Sequence, residues 1–225
     1  MELSFATFRN RWIKISNSIL NKTPVAHHGI QRSGTNYLNL CLRSLGVVPV
    51  NSFDPARGAA SHKHCRWQSA KKSIMPWDSR YQNDYQVAEL EQLDSLANYP
   101  PNCRHLVIQK DLASWLPSIL NWGLRVGWLR SKEEAIKQAA TLAKADYEAY
   151  YDFWHAQANK YPGRVVVIQF ESIIEDPRSL VEICRKMGVG VQNSDSFDGK
   201  FKEVPQSPSG RQAVVTRLDV EHMLN

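Results

Sequence analysis

The stretch from Val25 to Leu45, VAHHGIQRSGTNYLNLCLRSL, most constrains the fold, because it joins a short strand pattern to an amphipathic helix through a turn bracketed by Gly29 and Gly34. Two glycines let such a loop curl with its N–H groups pointing inward. Thr35 opens the helix, and a helix N-terminus offers unpaired N–H groups and the positive end of the macrodipole. An anion is therefore expected over Gly34, Thr35 and Asn36, with Arg32 as the nearest cation.

The rest of the chain supplies the partners of that unit. Arg104 to Trp122, RHLVIQKDLASWLPSILNW, holds a buried strand pattern at Leu106 to Ile108 and then a helix pattern, with Lys110 at the strand end and Ser118 eight positions on. Ser131 to Tyr161 reads as one long helix opening on the capping-box pattern Ser131-Lys132-Glu133-Glu134, and its aromatic stretch from Tyr147 to Trp154 reads as core. RVVVIQFES gives another buried strand, and EDPRSLVEICRKMGV a helix with Pro177 near its first turn and Gly188 past its end. VVPVN reads as an edge strand because of Pro49, and Val87 to Leu96 as a helix. Strands alternating with helices imply one open, mostly parallel α/β sheet with its ligand at the C-terminal ends of the strands. A length of 225 residues with 43% hydrophobic and 22% charged residues fits one domain spanning 1–225.

The G-x-x-x-x-G spacing of the loop is that of a nucleotide-binding P-loop, yet Thr35 stands where the lysine that reaches the β- and γ-phosphates belongs. An arginine three residues before the helix suits a short 5′ diphosphate-like group better than a triphosphate. The run QRSGTNYL resembles the 5′-phosphosulfate loop of sulfotransferases that use 3′-phosphoadenosine-5′-phosphosulfate (PAPS), in which a basic residue precedes Ser-Gly-Thr and an aromatic follows. Lys110 and Ser118 resemble the 3′-phosphate site of that family, which usually carries arginine at the strand end. The order of strand, acidic loop, Asp-Pro, helix and Met-Gly-Val also looks like the family's later core, so the likeness runs through three separated stretches between Pro24 and Val189.

That resemblance implies a P-loop-like, three-layer sulfotransferase-type architecture and a metal-free enzyme that moves a sulfuryl group from PAPS to a hydroxyl or amine. In AASHKHCRW, a segment readable as a strand, His62 and His64 would share a face and Lys63 would point away. No third ligand lies nearby, so the pair is not read as a metal site. His64 resembles the family's catalytic base best, with His62 as fallback, and Arg211 is the nearest substitute for the family's C-terminal Arg-Lys-Gly segment, which is missing here. Arg32, Ser33, Gly34, Thr35, Asn36, Lys110, Ser118 and Arg211 are thus the expected PAPS-binding residues, with Arg32 and His64 carrying the chemistry.

Other function classes fit less well. A nucleotide kinase or NTPase lacks its P-loop lysine, and a non-catalytic anion-binding module fits the net charge of +6 but shows no basic stripe with interleaved aromatics. Nucleic acid is accordingly not an expected partner. Phe8, Trp12, Ile15 and Ile19 with Arg9, Arg11 and Lys14 make residues 1–22 a short basic amphipathic helix, read as packing on the core with weak membrane-surface contact as the alternative. No apolar run reaches the roughly 18 residues of a membrane span. Four cysteines without a C-x-x-C pair point to a reducing, cytoplasmic setting. Residues 68–86 mix aromatics with cations and hydrogen-bonding side chains, which favours a carbohydrate or glycolipid acceptor. The tail from 191 to 225 is expected either to fold over the nucleotide or to be partly disordered.

Overall fold

The computed structural model describes residues 23–54, 59–60, 63–64, 66–67, 86–138, 142–202 and 214–221. The expectations for residues 1–22, His62, residues 68–85 and Arg211 lie outside these. Three parallel strands form the central sheet: β1 (Val25–His28), β6 (Arg104–Gln109) and β7 (Val165–Gln169), in the order β1-β6-β7. Val25 pairs with Arg104, and His105 with Val165. Two small pairs lie between β1 and β6 in sequence. β2 (Phe53–Asp54) runs antiparallel to β3 (Ala59–Ala60), and β4 (Arg66–Trp67) runs parallel to β5 (Gln86–Val87).

Helices cover both faces, because neighbouring side chains on each strand leave the sheet on opposite sides. Val25, Leu106, Ile108 and Ile168 pack with α1 (Thr35–Ser44) and with α7 (Arg178–Lys186), which follows the short α6 (Phe170–Glu175). Ala26, Val107 and Val165 pack on the other face. Their partners are α2 (Leu90–Leu96), α3 (Leu112–Val126), α5 (Lys144–Lys160) and Val220 of α8 (Arg217–Glu221). The chain is thus α/β, with a parallel sheet between two helical layers.

Two expectations are corrected. VVPVN is not a strand: Pro49 has no N–H to give a ladder, and the segment meets β1 through the Val50 N–H, which donates to the Val25 carbonyl at 2.7 Å, and through the side chain of Asn51. Its Oδ1 accepts the His27 N–H at 3.0 Å and its Nδ2 donates to the His27 carbonyl at 2.8 Å. The expected helix from Val87 begins only at Leu90, Val87 being drawn into β5. The long helix of 131–161 is found as α4 (Lys132–Gln138) and α5, on either side of residues 139–141, which are not among the described residues. Its capping box holds in part. Ser131 Oγ accepts the Glu134 N–H at 3.2 Å, while the Glu134 carboxylate reaches the Arg130 N–H rather than that of Ser131.

Polar side chains tie the far end of the sheet. His28 Nε2 lies 3.1 Å from His105 Nδ1, both rings are wholly buried, and His105 Nε2 stands 3.1 Å from Asp94, which also holds Arg164. Beyond α7 the tail is packed as far as Phe201, with Phe197 buried and Phe201 edge-on to Tyr37. The terminal segment is fastened to α3 by Asn121, whose Oδ1 accepts the N–H groups of Val214 and Val215.

Candidate functional site

All three central strands end at the same edge of the sheet, and each delivers part of the site there. From β1 the chain enters the loop Gly29–Gly34. Arg32 and Gly34 both take positive φ, 71° and 99°, so the loop curls as a backbone nest ahead of α1. No side chain caps this helix, whose N-cap is Gly34. Gly34 thus brings no side-chain acceptor of its own to the first N–H groups, which suits a helix start that receives an anion. The glycines are required. A β-carbon on Gly29 would lie 2.4 Å from Ser33 Oγ, and one on Gly34 would lie 2.4 Å from the Phe170 ring.

β6 delivers Lys110 and β7 delivers Phe170. The Phe170 ring roofs Gly34, stands edge-on to Tyr37 at 5.8 Å and takes the Lys110 ammonium over its face at 5.5 Å. Burial lowers the Lys110 pKa, Glu171 opposes this, and the Arg32 charge lowers it further. Lys110 and Arg32 therefore sense one another across the loop. Two tyrosines of α5 fix the strand end from below: Tyr151 donates to the Ile108 carbonyl at 2.8 Å, and Tyr147 to that of Lys110 at 2.6 Å. The aromatic stretch of α5 is core, as expected, but its hydroxyls also position the site.

α3 borders the other side of the loop. Asp111 caps it, accepting the Ser114 N–H at 3.1 Å, and Trp115 donates to the Gln31 carbonyl at 2.7 Å. Ser118, one turn beyond Trp115, shares its stripe and is half-buried. The Arg32 guanidinium lies 5.0 Å from the centre of the Trp122 ring.

Lys63 and His64 close the cradle. They lie in a turn rather than a strand, so the shared-face argument for His62 and His64 fails. Lys63 also does not point away. Its carbonyl accepts the Gly29 N–H at 3.0 Å, and its ammonium, in a residue only 5% exposed, donates to Asn36 Oδ1 at 2.7 Å in the first turn of α1. Burial pushes its pKa down to about 8. His64 Nδ1 lies 2.6 Å from the Gly29 carbonyl, so Nδ1 carries the proton and donates, which leaves Nε2 as the ring's basic nitrogen.

The structure thus gathers Arg32, Gly34, Thr35, Asn36, His64 and Lys110 around the loop Gly29–Gly34, with Ser118 on the adjoining helix stripe. Ser33 is set apart: it is wholly buried, its N–H is taken by the Ile30 carbonyl at 3.1 Å, and its hydroxyl faces Tyr151 beneath the loop. Lys63 and Phe170 are candidates that the sequence reading missed. Among the described residues no group of three or more His, Cys, Asp or Glu side chains is arranged to hold a metal ion, and no helix is long and apolar enough to cross a membrane.

No family model and no curated protein matches the chain. Solved structures of sulfotransferases do resemble it. One is mouse sulfotransferase SULT7A1 complexed with PAP, with 14% identity and a TM-score of 0.47 over 77% of this chain and 60% of that one. The chain therefore spans less than two thirds of the mouse protein's length. Another is a sulfotransferase from Alicyclobacillus acidocaldarius, with 16% identity and a TM-score of 0.42 over 82% of this chain and 87% of that one.

Proposed function

We propose that the chain is a PAPS-dependent sulfotransferase acting on a hydroxyl or amine acceptor, with a carbohydrate or glycolipid favoured. The observation that carries this reading is the uncapped, glycine-bracketed start of α1, ringed by Arg32, Lys63 and Lys110 and faced by a histidine whose Nδ1 proton is already committed to Gly29. These residues fit a phosphate-bearing ligand: the nest and helix end supply N–H donors, and three cations of different depth surround them.

PAPS, when bound, supplies the sulfuryl group that passes to the acceptor oxygen or nitrogen while its bond to the 5′-phosphate breaks. His64 Nε2 takes the acceptor's proton as the acceptor attacks sulfur. Arg32, with the N–H groups of Gly34 and Thr35, holds the negative charge left on the departing phosphate, and Lys63 adds a buried cation beside Asn36. Lys110 and Ser118 hold the 3′-phosphate, with Arg211 assigned to the same end. The setting is a reducing compartment such as the cytoplasm, which accords with the free, buried thiols of Cys41, Cys103 and Cys184.

One observation favours a second reading. Lys63 brings an ammonium to the first turn of α1, near where a P-loop's own lysine acts, so a nucleotide kinase is the alternative. Calorimetry with PAPS and with ATP, each with and without magnesium, separates the two. Tighter binding of PAPS that is indifferent to magnesium supports the sulfotransferase, and magnesium-dependent preference for ATP defeats it. Binding of PAPS without label transfer to any acceptor leaves a non-catalytic anion-binding module.

A further inference from the structure

Lys110 stands one residue beyond the paired part of β6, whose last register pair is Gln109 opposite Gln169. A residue past the end of a ladder has left the pairing that sets backbone direction, so its peptide group needs other partners. Side chains from two helices take both polar atoms of the peptide that joins Lys110 to Asp111. Tyr147 of α5 donates its hydroxyl proton to the Lys110 carbonyl at 2.6 Å, and both carboxylate oxygens of Glu171 in α6 accept the Asp111 N–H at 3.2 Å. Holding that peptide plane fixes the direction in which the Lys110 side chain leaves the strand, with its ammonium over the Phe170 ring.

The Tyr147 bond is itself directed from outside. A carbonyl only accepts, so the Tyr147 proton is committed to Lys110, and the phenolic oxygen accepts from Gln109 Nε2, 3.1 Å away. That turns Gln109 Oε1 outward, where it accepts from Gln169 Nε2 at 3.2 Å and from His155 Nε2 at 2.9 Å. Every proton in the row thus has one direction, set from the Lys110 carbonyl outward to the exposed side chains of His155 and Gln169. Tyr147 is only 7% exposed, and its ring packs with those of Trp115 and Tyr151, 5.2 and 4.6 Å between centres, so the hydroxyl is held in place. Burial pushes its pKa up to about 12, which keeps the proton on it at neutral pH.

We propose that Tyr147 and Gln109 are positioning residues for the 3′-phosphate end of the site: Gln109 orients the Tyr147 hydroxyl, which aims Lys110 and so sets the selectivity for a nucleotide that carries a 3′-phosphate. The inference rests on the sulfuryl-transfer reading, in which Lys110 meets that phosphate. A role confined to packing would weaken every nucleotide alike, whereas a role through Lys110 acts on the 3′-phosphate alone.

The test is calorimetry on the full chain with 3′-phosphoadenosine-5′-phosphate and with adenosine 5′-phosphate, which differ only in the 3′-phosphate. The wild type should prefer the first. Tyr147→Phe, which removes one oxygen and keeps the packed ring, should cut that preference about fivefold or more, as expected for one lost hydrogen bond, and leave affinity for adenosine 5′-phosphate within about twofold. Gln109→Met should cut the preference less, because Tyr147 keeps its proton and loses only the group that orients it. Added to Tyr147→Phe, Gln109→Met should change the preference no further, since its effect runs through the hydroxyl. Equal weakening of both nucleotides by Tyr147→Phe overturns the inference, as does a preference that Tyr147→Phe or Gln109→Met leaves unchanged, or a Gln109→Met effect that persists in full in the double variant. Failure of the underlying reading shows in the wild type itself: binding of neither nucleotide, or of both equally, removes that reading and the inference together.

Discussion

Replacing Lys63 by methionine should make the protein more stable at neutral pH and worse at binding its nucleotide. Lys63 is 5% exposed, and burial lowers its pKa from 10.5 to about 8. At 1.36 kcal/mol per unit, that shift means that keeping the ammonium charged inside the fold costs about 3 kcal/mol at pH 7. Methionine, of similar length, removes this cost and forfeits the hydrogen bond to Asn36, worth about 1 to 2 kcal/mol. Asn36 is only half-buried, so water can satisfy it. A net gain of about 1 to 2 kcal/mol is expected at pH 7.

The pH dependence isolates the cause. Between pH 8 and 10.5 the unfolded chain still holds the Lys63 proton and the folded chain has released it, so this residue makes stability rise with pH across that window. Urea unfolding of wild type and Lys63→Met at pH 7 and pH 10 should therefore show their difference moving by about 2 to 3 kcal/mol in favour of the wild type. A bound anion should restore the charged form. Affinity of the wild type for 3′-phosphoadenosine-5′-phosphate should then fall as pH rises past about 8, and the variant should bind weakly with no such slope. A stability difference that stays flat from pH 7 to 10, or a variant that keeps wild-type affinity, would refute the reasoning.

Four further outcomes are expected. His64→Asn should leave nucleotide binding within a fewfold of wild type in calorimetry and lower sulfuryl transfer by about a hundredfold or more, the usual contribution of a positioned general base; equal loss of both would make His64 a structural residue. Lys110→Ala should weaken binding of 3′-phosphoadenosine-5′-phosphate far more than binding of adenosine 5′-phosphosulfate, which lacks the 3′-phosphate, and equal losses would move Lys110 out of that subsite. Gly34→Ala should cost about 2 kcal/mol or more in urea unfolding, because φ is 99° and the new methyl meets Phe170, and Phe170→Ala should recover only the clash. Arg32→Gly should hold thermal stability nearly level while slowing transfer by about two orders of magnitude or more, since relief of the positive φ offsets the lost contact with Trp122 but nothing replaces the cation.

The fold was largely legible because its strands are covered on both faces. Such strands read as unbroken apolar runs, and Leu106–Ile108 is the middle of β6 and Val165–Ile168 all of β7 but its last residue. VVPVN carries the same composition and misleads. Composition reports burial, which Val47 and Val50 do share, but not a ladder: the segment meets β1 through the Val50 N–H on the Val25 carbonyl and through the Asn51 amide on the His27 backbone. The buried His28–His105 contact was invisible for a related reason: two histidines 77 residues apart meet only once β1 and β6 pair.

The site divides along the same line. Its local half, the loop from Gly29 to Gly34 with Arg32 and the start of α1, was readable because glycine spacing and helix-end chemistry act within a few residues. Its long-range half was not. In AASHKHCRW a lysine between histidines looks exposed, and the alternation suggests a strand that would turn Lys63 outward. What reverses its direction is a single backbone contact, from the Gly29 N–H to the Lys63 carbonyl, which sets the turn against the cradle and threads the side chain to Asn36. The sequence does hold one negative clue. With Thr35 in the place of the P-loop lysine, the loop has a helix end that favours an anion but lacks the deep ammonium that would meet it there, and a cation supplied from another segment is one way to complete the cradle. Lys63 brings an ammonium to that turn in the structure, and on the proposed reading a bound anion is what offsets the cost of burying it.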